Sequence, residues 1–201
     1  MTTAAPAPEE EKAPVRRGRP RSVETTKAIL ESAYHLMATT SAAATSIDAI
    51  ARRCGVSKMT IYKWWPSREA LLIDAFLDRA ATMLPVPEGG DAAGRIRSHA
   101  ERYATALQGE FGSVQLAVIS ECLANTGSAG IFYERYLAHR RSAMTAIIAA
   151  GQRDGSIAAT AAPETLYDAI YGSLFYRYVF RIGPLTPAYA RELVELTLRP
   201  R

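Results

Sequence analysis

Between Thr45 and Trp64 two short helix-forming runs are separated by four residues, Cys54-Gly55-Val56-Ser57. Few packings accommodate so brief a connection. Thr45 to Asp48 has the spacing of a capping box and opens Ile47-Asp48-Ala49-Ile50-Ala51-Arg52-Arg53. Gly55 allows a positive φ without a Cβ penalty, and Ser57 offers an oxygen to the free N–H groups of Lys58 to Trp64. Ile47, Ile50, Ala51, Val56 and Ile61 supply a small apolar wedge that fixes the angle between the runs. The layout is a helix-turn-helix, with Lys58, Met59, Thr60 and Lys63 on the outside, free to enter a major groove. A basic helical hairpin whose charged face is merely solvated would carry the same pattern.

The rest of the chain reads as helix too. Ser22 is a candidate N-cap for a stripe of Ile29, Ala33, Leu36 and Met37, and Ser67 caps a helix running to about Met83. Beyond the turn-forming segment 84–90, apolar residues recur at helical spacing over about 92–109, 112–125, 130–151, 163–182 and 187–198. There is no strand alternation and no long repeat, so the expectation is an all-α protein of about nine helices. The expected divisions are a basic arm (1–21), a helix-turn-helix domain (22–83) and a helical regulatory and dimerisation domain (84–201).

Charge separates these parts. The chain carries +4, yet residues 12–68 hold eleven Lys and Arg against three acids, while 69–201 hold thirteen Arg against fourteen acids. Excess positive charge confined to the first third is the footprint of a polyanion-binding module joined to a neutral one. Ala143 to Gly151, the longest nearly uncharged apolar run, is about half a bilayer crossing. The Ala/Pro/Glu-rich start lacks the apolar stretch of a secretory signal, and two cysteines make no disulfide framework. The expectation is a cytoplasmic protein with no membrane partner. His35, His99 and His139 have no metal-ligand spacing, and no nucleophile elbow or phosphate loop is present. No catalytic residue, metal or cofactor is nominated, and a helical enzyme stands as the alternative of another class.

The run from Thr45 to Leu72, with Gly55-Val56-Ser57, Thr60-Ile61-Tyr62 and Ser67-Arg68-Glu69-Ala70-Leu71, closely resembles the DNA-binding signature of the tetracycline-repressor (TetR) family. The resemblance covers about residues 22–80. It implies a homodimeric transcription regulator, usually a repressor, that binds double-stranded DNA and is often released by a small ligand. On matching positions, Thr45, Ser46 and Arg68 would meet phosphates. Lys58, Met59 and Thr60 would face bases, and Tyr62 and Lys63 would reach phosphates or nearby base edges. Trp64-Trp65 departs from the family's commoner His-Phe pair, with Trp65 expected in the core and Trp64 partly exposed. Met59 offers a base no hydrogen bond, so thymine-methyl contact is what remains to it. Cys54 replaces the usual Ala and reads as a small hydrophobe. Arg17 and Arg19 in the arm fit a narrow minor groove, or equally a tail attracted to phosphates without sequence preference.

For the C-terminal half the family pattern implies an apolar effector pocket. Its expected walls are Tyr103, Leu107, Phe111, Leu116, Ile119, Leu123, Tyr136 and Met144, with Glu121, Arg102, Arg140 and Arg141 as the nearby charges. Eight of ten tyrosines follow residue 100, and tyrosine suits pockets and interfaces alike. Leu166, Ile170, Leu174, Tyr178 and Ile182 recur at four-residue intervals and, with Leu193, Val194 and Leu198, are the expected dimer interface. A C-terminal half serving only dimerisation or protein docking, with no ligand, is the competing expectation.

Overall fold

The computed structural model describes residues 23–124 and 128–199. Among them the chain forms α1 (Val23–Thr39), α2 (Ile47–Cys54), α3 (Lys58–Trp64), α4 (Arg68–Met83), α5 (Ala92–Leu107), α6 (Glu110–Ala124), α7 (128–154), α8 (163–180) and α9 (Pro187–Leu198), and no strand. None of these helices is long and apolar enough to cross a membrane. Ser22, Arg17 and Arg19 lie outside the described residues.

Local chemistry sets the starts. Ser67 accepts from the Ala70 N–H at 3.1 Å, Asp91 from Gly94 at 2.7 Å and Thr186 from Tyr189 at 3.1 Å. The α5–α6 corner needs glycine, because a Cβ at Gly112 would overlap the Leu107 backbone. Two helices depart from regular winding: α7 contains a π-helical turn at Tyr133–Leu137, and α8 contains one at Asp168–Gly172.

α1 packs on α2 and α4, and α6 packs on both α1 and α4. The helix-turn-helix is thereby seated on the larger helical body, in which α5 contacts α6, α7 and α9. Phe76 of α4 is fully buried at the junction, with ring centroids of Tyr136, Phe111 and Phe132 at 5.0, 5.2 and 6.0 Å. Burial of such a side chain contributes about 1.5–3 kcal/mol, and tilted aromatic pairs add to it.

The C-terminal helices correct one expectation. Leu166, Ile170, Leu174, Val194 and Leu198 lie inside the subunit, none more than 6% exposed, and cannot form an interface surface. Tyr178 and Leu193 are half-buried against the same core. The four-residue stripe marks the inward face, and the π turn at 168–172 breaks the register on which its extension depends. The outward apolar residues here are Tyr176, Phe180, Ile182 and Leu196, with Tyr176 and Phe180 in ring contact at 4.9 Å.

Candidate nucleic-acid interface and effector cavity

α2 and α3 are fixed by the devices their sequence carries. Ser46, not Thr45, caps α2, its Oγ accepting from the Ala49 N–H at 3.1 Å. Gly55 adopts φ 68° after α2, and Ser57 caps α3 by accepting from the Thr60 N–H at 3.1 Å. Ile61 and Trp65 anchor α3 in the core at 0% and 3% exposure, while Trp64 is half-buried with its ring edge-on to Trp65 at 5.9 Å. The Cys54 thiol donates to the Ile50 carbonyl at 3.0 Å, an ordinary helical contact.

This anchoring leaves the opposite face of α3 to solvent. Lys58, Met59, Tyr62 and Lys63 are exposed, Met59 at 77%. Thr60 is half-buried and shares a 3.0 Å hydrogen bond with the Ser57 hydroxyl. Lys58 pairs with Asp48 at 2.6 Å, and that hydrogen bond holds its pKa above the ordinary lysine value. So exposed a pair is screened by solvent and readily exchanged for a phosphate or base.

Two residues expected at phosphates are engaged elsewhere. Thr45 is 1% exposed, and its hydroxyl donates to the Ser41 carbonyl at 2.6 Å. Arg68 is turned inward: Nη1 donates to the Ala42 and Thr45 carbonyls at 2.6 and 3.2 Å, and Nη2 to Glu121 of α6 at 2.5 Å. A guanidinium at the start of α4 faces an unfavourable helix end, and its carbonyl and carboxylate partners offset that cost. Arg68 is therefore a strut between the α1–α2 loop and α6. Asp74 makes a second tie, accepting from Trp65 Nε1 at 2.8 Å and pairing with Arg135 of α7 at 2.8 Å.

A partly enclosed cavity of about 210 Å³ lies among α5, α6, α7 and α8. Tyr103, Ile119 and Tyr136 line it, as the sequence suggests. Leu107 and Met144 are packed in the core instead, and Phe111 lines a separate, more open groove of about 500 Å³ beside Tyr34 and Arg79. Leu116 borders a different surface hollow, Leu123 is 71% exposed, and Glu121 holds Arg68. Sequence reasoning missed His99, Gln115, Tyr167, Asp168, Tyr171 and Phe175 as cavity residues. The last four lie on α8, whose apolar stripe reads in the sequence as a partner's contact; the Tyr167-x-x-x-Tyr171 spacing is the available signal. Both π turns contribute to the wall, through Tyr136 and Leu137 and through Asp168, Tyr171 and Gly172. Such turns recur at functional sites because they re-aim side chains within a continuous helix.

Polar groups in the cavity are partnered. Gln115 Nε2 donates to the Tyr103 hydroxyl at 3.2 Å, Arg141 pairs with Asp168, and His99 is bonded on both ring nitrogens. Burial, aided by Arg140 and Arg102, pushes the His99 pKa down to about 3, so the ring is neutral. Burial raises the pKa values of Tyr103, Tyr136 and Tyr171, and that of Tyr167 to about 12.

A capped helix-turn-helix with a basic outer face, seated on a helical body, defines the class of DNA-binding transcription regulators. Comparison with known proteins gives the family. The family described as "Bacterial regulatory proteins, tetR family" matches residues 29–75, and "Tetracyclin repressor-like, C-terminal domain" matches 86–197. The helix-turn-helix-type regulator YdeS of Bacillus subtilis is 35% identical over 179 residues, spanning 89% of this chain and 90% of the relative. Among solved structures, the TetR family regulator SCO0332 superposes with a TM-score of 0.73 at 24% identity, covering 87% of this chain and 97% of that one. FadR from Bacillus subtilis, solved in complex with stearoyl-CoA, superposes at 0.66 with 17% identity, over 87% and 98% of the two chains. The chain belongs to the TetR family of transcriptional regulators. It is a regulator and not an enzyme.

Proposed function

We propose that the chain acts as a homodimeric repressor with two functional parts, residues 22–83 binding DNA and residues 84–201 serving dimerisation and effector binding. In this reading α3 of each subunit enters a major groove of a roughly palindromic duplex, with half-sites about one helical turn (~34–36 Å) apart. Lys58, Met59 and Thr60 face bases, and Ser46, Tyr62 and Lys63 meet phosphates or nearby base edges. Arg17 and Arg19 lie beside the duplex. The exposed apolar strip of Tyr176, Phe180, Ile182 and Leu196 supports a dimer through α8 and α9, because such a surface needs covering.

A small, mainly apolar effector in the cavity relieves repression. The observation that carries this is the cavity's contact with α4. Tyr136, in its wall, packs on Phe76 at 5.0 Å, and Arg140, also in the wall, donates to the Leu84 carbonyl at the α4 C-terminus. Occupancy would then act on the helix that carries the helix-turn-helix, so DNA and effector select different members of one ensemble. At about 210 Å³ the space lies below the ~300–1,000 Å³ usual for drug-sized ligands, which favours a compact effector.

The test is selection of duplexes from a random pool by the full chain, followed by a thermal-shift screen of small apolar metabolites. A two-fold-symmetric site, with release by a compound that raises the melting temperature, is the expected result. No sequence preference would refute the DNA assignment. A bound operator that no compound releases would favour a C-terminal half devoted to dimerisation.

A further inference from the structure

Arg140 stands between the cavity and α4. Its Nη1 donates to His99 Nε2 at 2.8 Å, and its Nη2 donates to the Leu84 and Ala80 carbonyls at 2.9 and 3.4 Å. The guanidinium also lies 5.2 Å from the Tyr136 ring centroid. Because arginine has no acceptor, Nε2 of His99 must be the lone-pair nitrogen, and Nδ1 carries the proton it donates to the Tyr171 hydroxyl at 2.9 Å. Tyr171 in turn directs its O–H to the Met144 sulfur at 3.8 Å. Every partner of Arg140 is neutral. Among the described residues no carboxylate lies within 4.0 Å of its guanidinium, whereas Arg141 beside it has Asp168.

The cavity wall thus carries one uncompensated positive charge. The rest of the lining is the mutually paired Arg141 and Asp168 and uncharged side chains, among them Tyr167 and Tyr171, stacked at 4.6 Å and 30°. We infer that the effector is a small arylcarboxylate, a one-ring acid whose carboxylate takes the Arg140 fork in place of the α4 carbonyls; this rests on the effector reading above. A carboxylate matches the planar donor pair and supplies the missing countercharge. A monoanion balances the wall, while a phosphate dianion would leave a buried negative charge unpaired. The ring faces the tyrosines, and the cavity has no room for a long acyl chain or a coenzyme-sized group. The coupling follows from competition: a guanidinium held by the ligand is less available to the carbonyls of Ala80 in the last turn of α4 and of its C-cap Leu84.

The experiment uses the full chain at pH 7.5 and titrates benzoate, phenylacetate and trans-cinnamate, each against its own primary amide. Binding is read by calorimetry, and release by the anisotropy of a labelled selected duplex. Shape is matched within each pair, so charge is the variable. The expected result is at least one acid binding about 10- to 100-fold tighter than its amide and releasing the duplex. Arg140→Gln should abolish that preference, so that acid and amide bind alike, and Arg140→Lys should restore part of it. The comparison in the unsubstituted protein does not depend on either variant folding. Equal binding of acids and amides, with release, would overturn the charge assignment and leave the effector cavity standing. Binding by none of the six compounds would overturn the arylcarboxylate assignment too, while the metabolite screen separately decides whether the cavity takes any effector.

Discussion

Replacing Arg68 by alanine separates the two roles this residue could have. As a strut, Arg68 holds two carbonyls of the α1–α2 loop and Glu121 of α6. Truncation takes the guanidinium from the Glu121 carboxylate and one donor from each of the two carbonyls. Breaking a fully buried pair costs about 3–5 kcal/mol, but the Arg68 and Glu121 side chains are 25% and 20% exposed, so about 2–3 kcal/mol is the working figure. In a chain of this length that lowers the melting temperature by about 5–10 °C. Circular-dichroism melts at one fixed protein concentration measure it. A cycle with Glu121→Ala should give a favourable coupling of about 1–3 kcal/mol, because each single truncation loses the same ion pair. Salt dependence supplies the second reading. Each lost phosphate contact reduces the slope of log affinity against log salt by about 0.9, so Arg68→Ala should leave the slope unchanged even where affinity falls. A melting temperature within about 2 °C of the parent, together with a slope reduced by about 0.9, would refute the strut and return Arg68 to the phosphates.

Lys63→Ala should show the opposite pattern, an unchanged melting temperature with affinity lost uniformly across sequences and a shallower salt slope, whereas Lys58→Ala and Thr60→Ala should alter which bases a selection recovers. Phe180→Glu, on the exposed strip, should give a folded monomer by light scattering with operator affinity sharply reduced; a persistent dimer would refute that surface. His99 predicts an acid dependence. Its folded pKa of about 3 lies below the ordinary 6.5, so between those values the unfolded chain takes up a proton that the folded chain does not. Stability should fall as pH drops through that window, by up to about 1.4 kcal/mol per unit, with no such dependence above it. Urea midpoints at pH 7 and 5 should lie closer together in His99→Gln than in the parent; identical spacing would refute the assignment.

Features governed by a few neighbouring residues are legible in the sequence. Ser57 and Ser67 cap the helices they precede, Gly55 takes the left-handed turn, and Trp65 enters the core while Trp64 stays half out. Where two oxygens compete for one task, adjacency does not decide: Ser46 takes the cap because Thr45 is drawn inward to Ser41. Arg68 shows the limit more sharply. Its position beside the helix-turn-helix suits a phosphate, and the partner that turns it inward, Glu121, is 53 residues away. The α8 stripe misleads for a related reason. An apolar face at helical spacing needs covering, yet spacing cannot say whether its own subunit or a second one covers it. The π turn at 168–172 then changes the register within a helix that reads as continuous.

What the fold adds is the relation of α4 to everything beyond it. Arg68 at its start is tied to Glu121, Asp74 in its middle to Arg135, and the Ala80 and Leu84 carbonyls at its end to Arg140. Phe76 fills the interval, packed on Phe132 and Tyr136. Apart from Phe111, every one of these outer partners lies between residues 121 and 140, the stretch that also supplies Tyr136, Leu137 and Arg140 to the cavity wall. One wall of the cavity and the clamps on α4 therefore share one piece of chain, while α5, α6 and α8 supply the other walls. Allosteric coupling energies are about 1–3 kcal/mol, close to the net worth of a single charge-assisted hydrogen bond. On the proposed reading, loss of one such bond at the end of α4 is enough to shift the helix-turn-helix between states. No large rearrangement of the helical body is required.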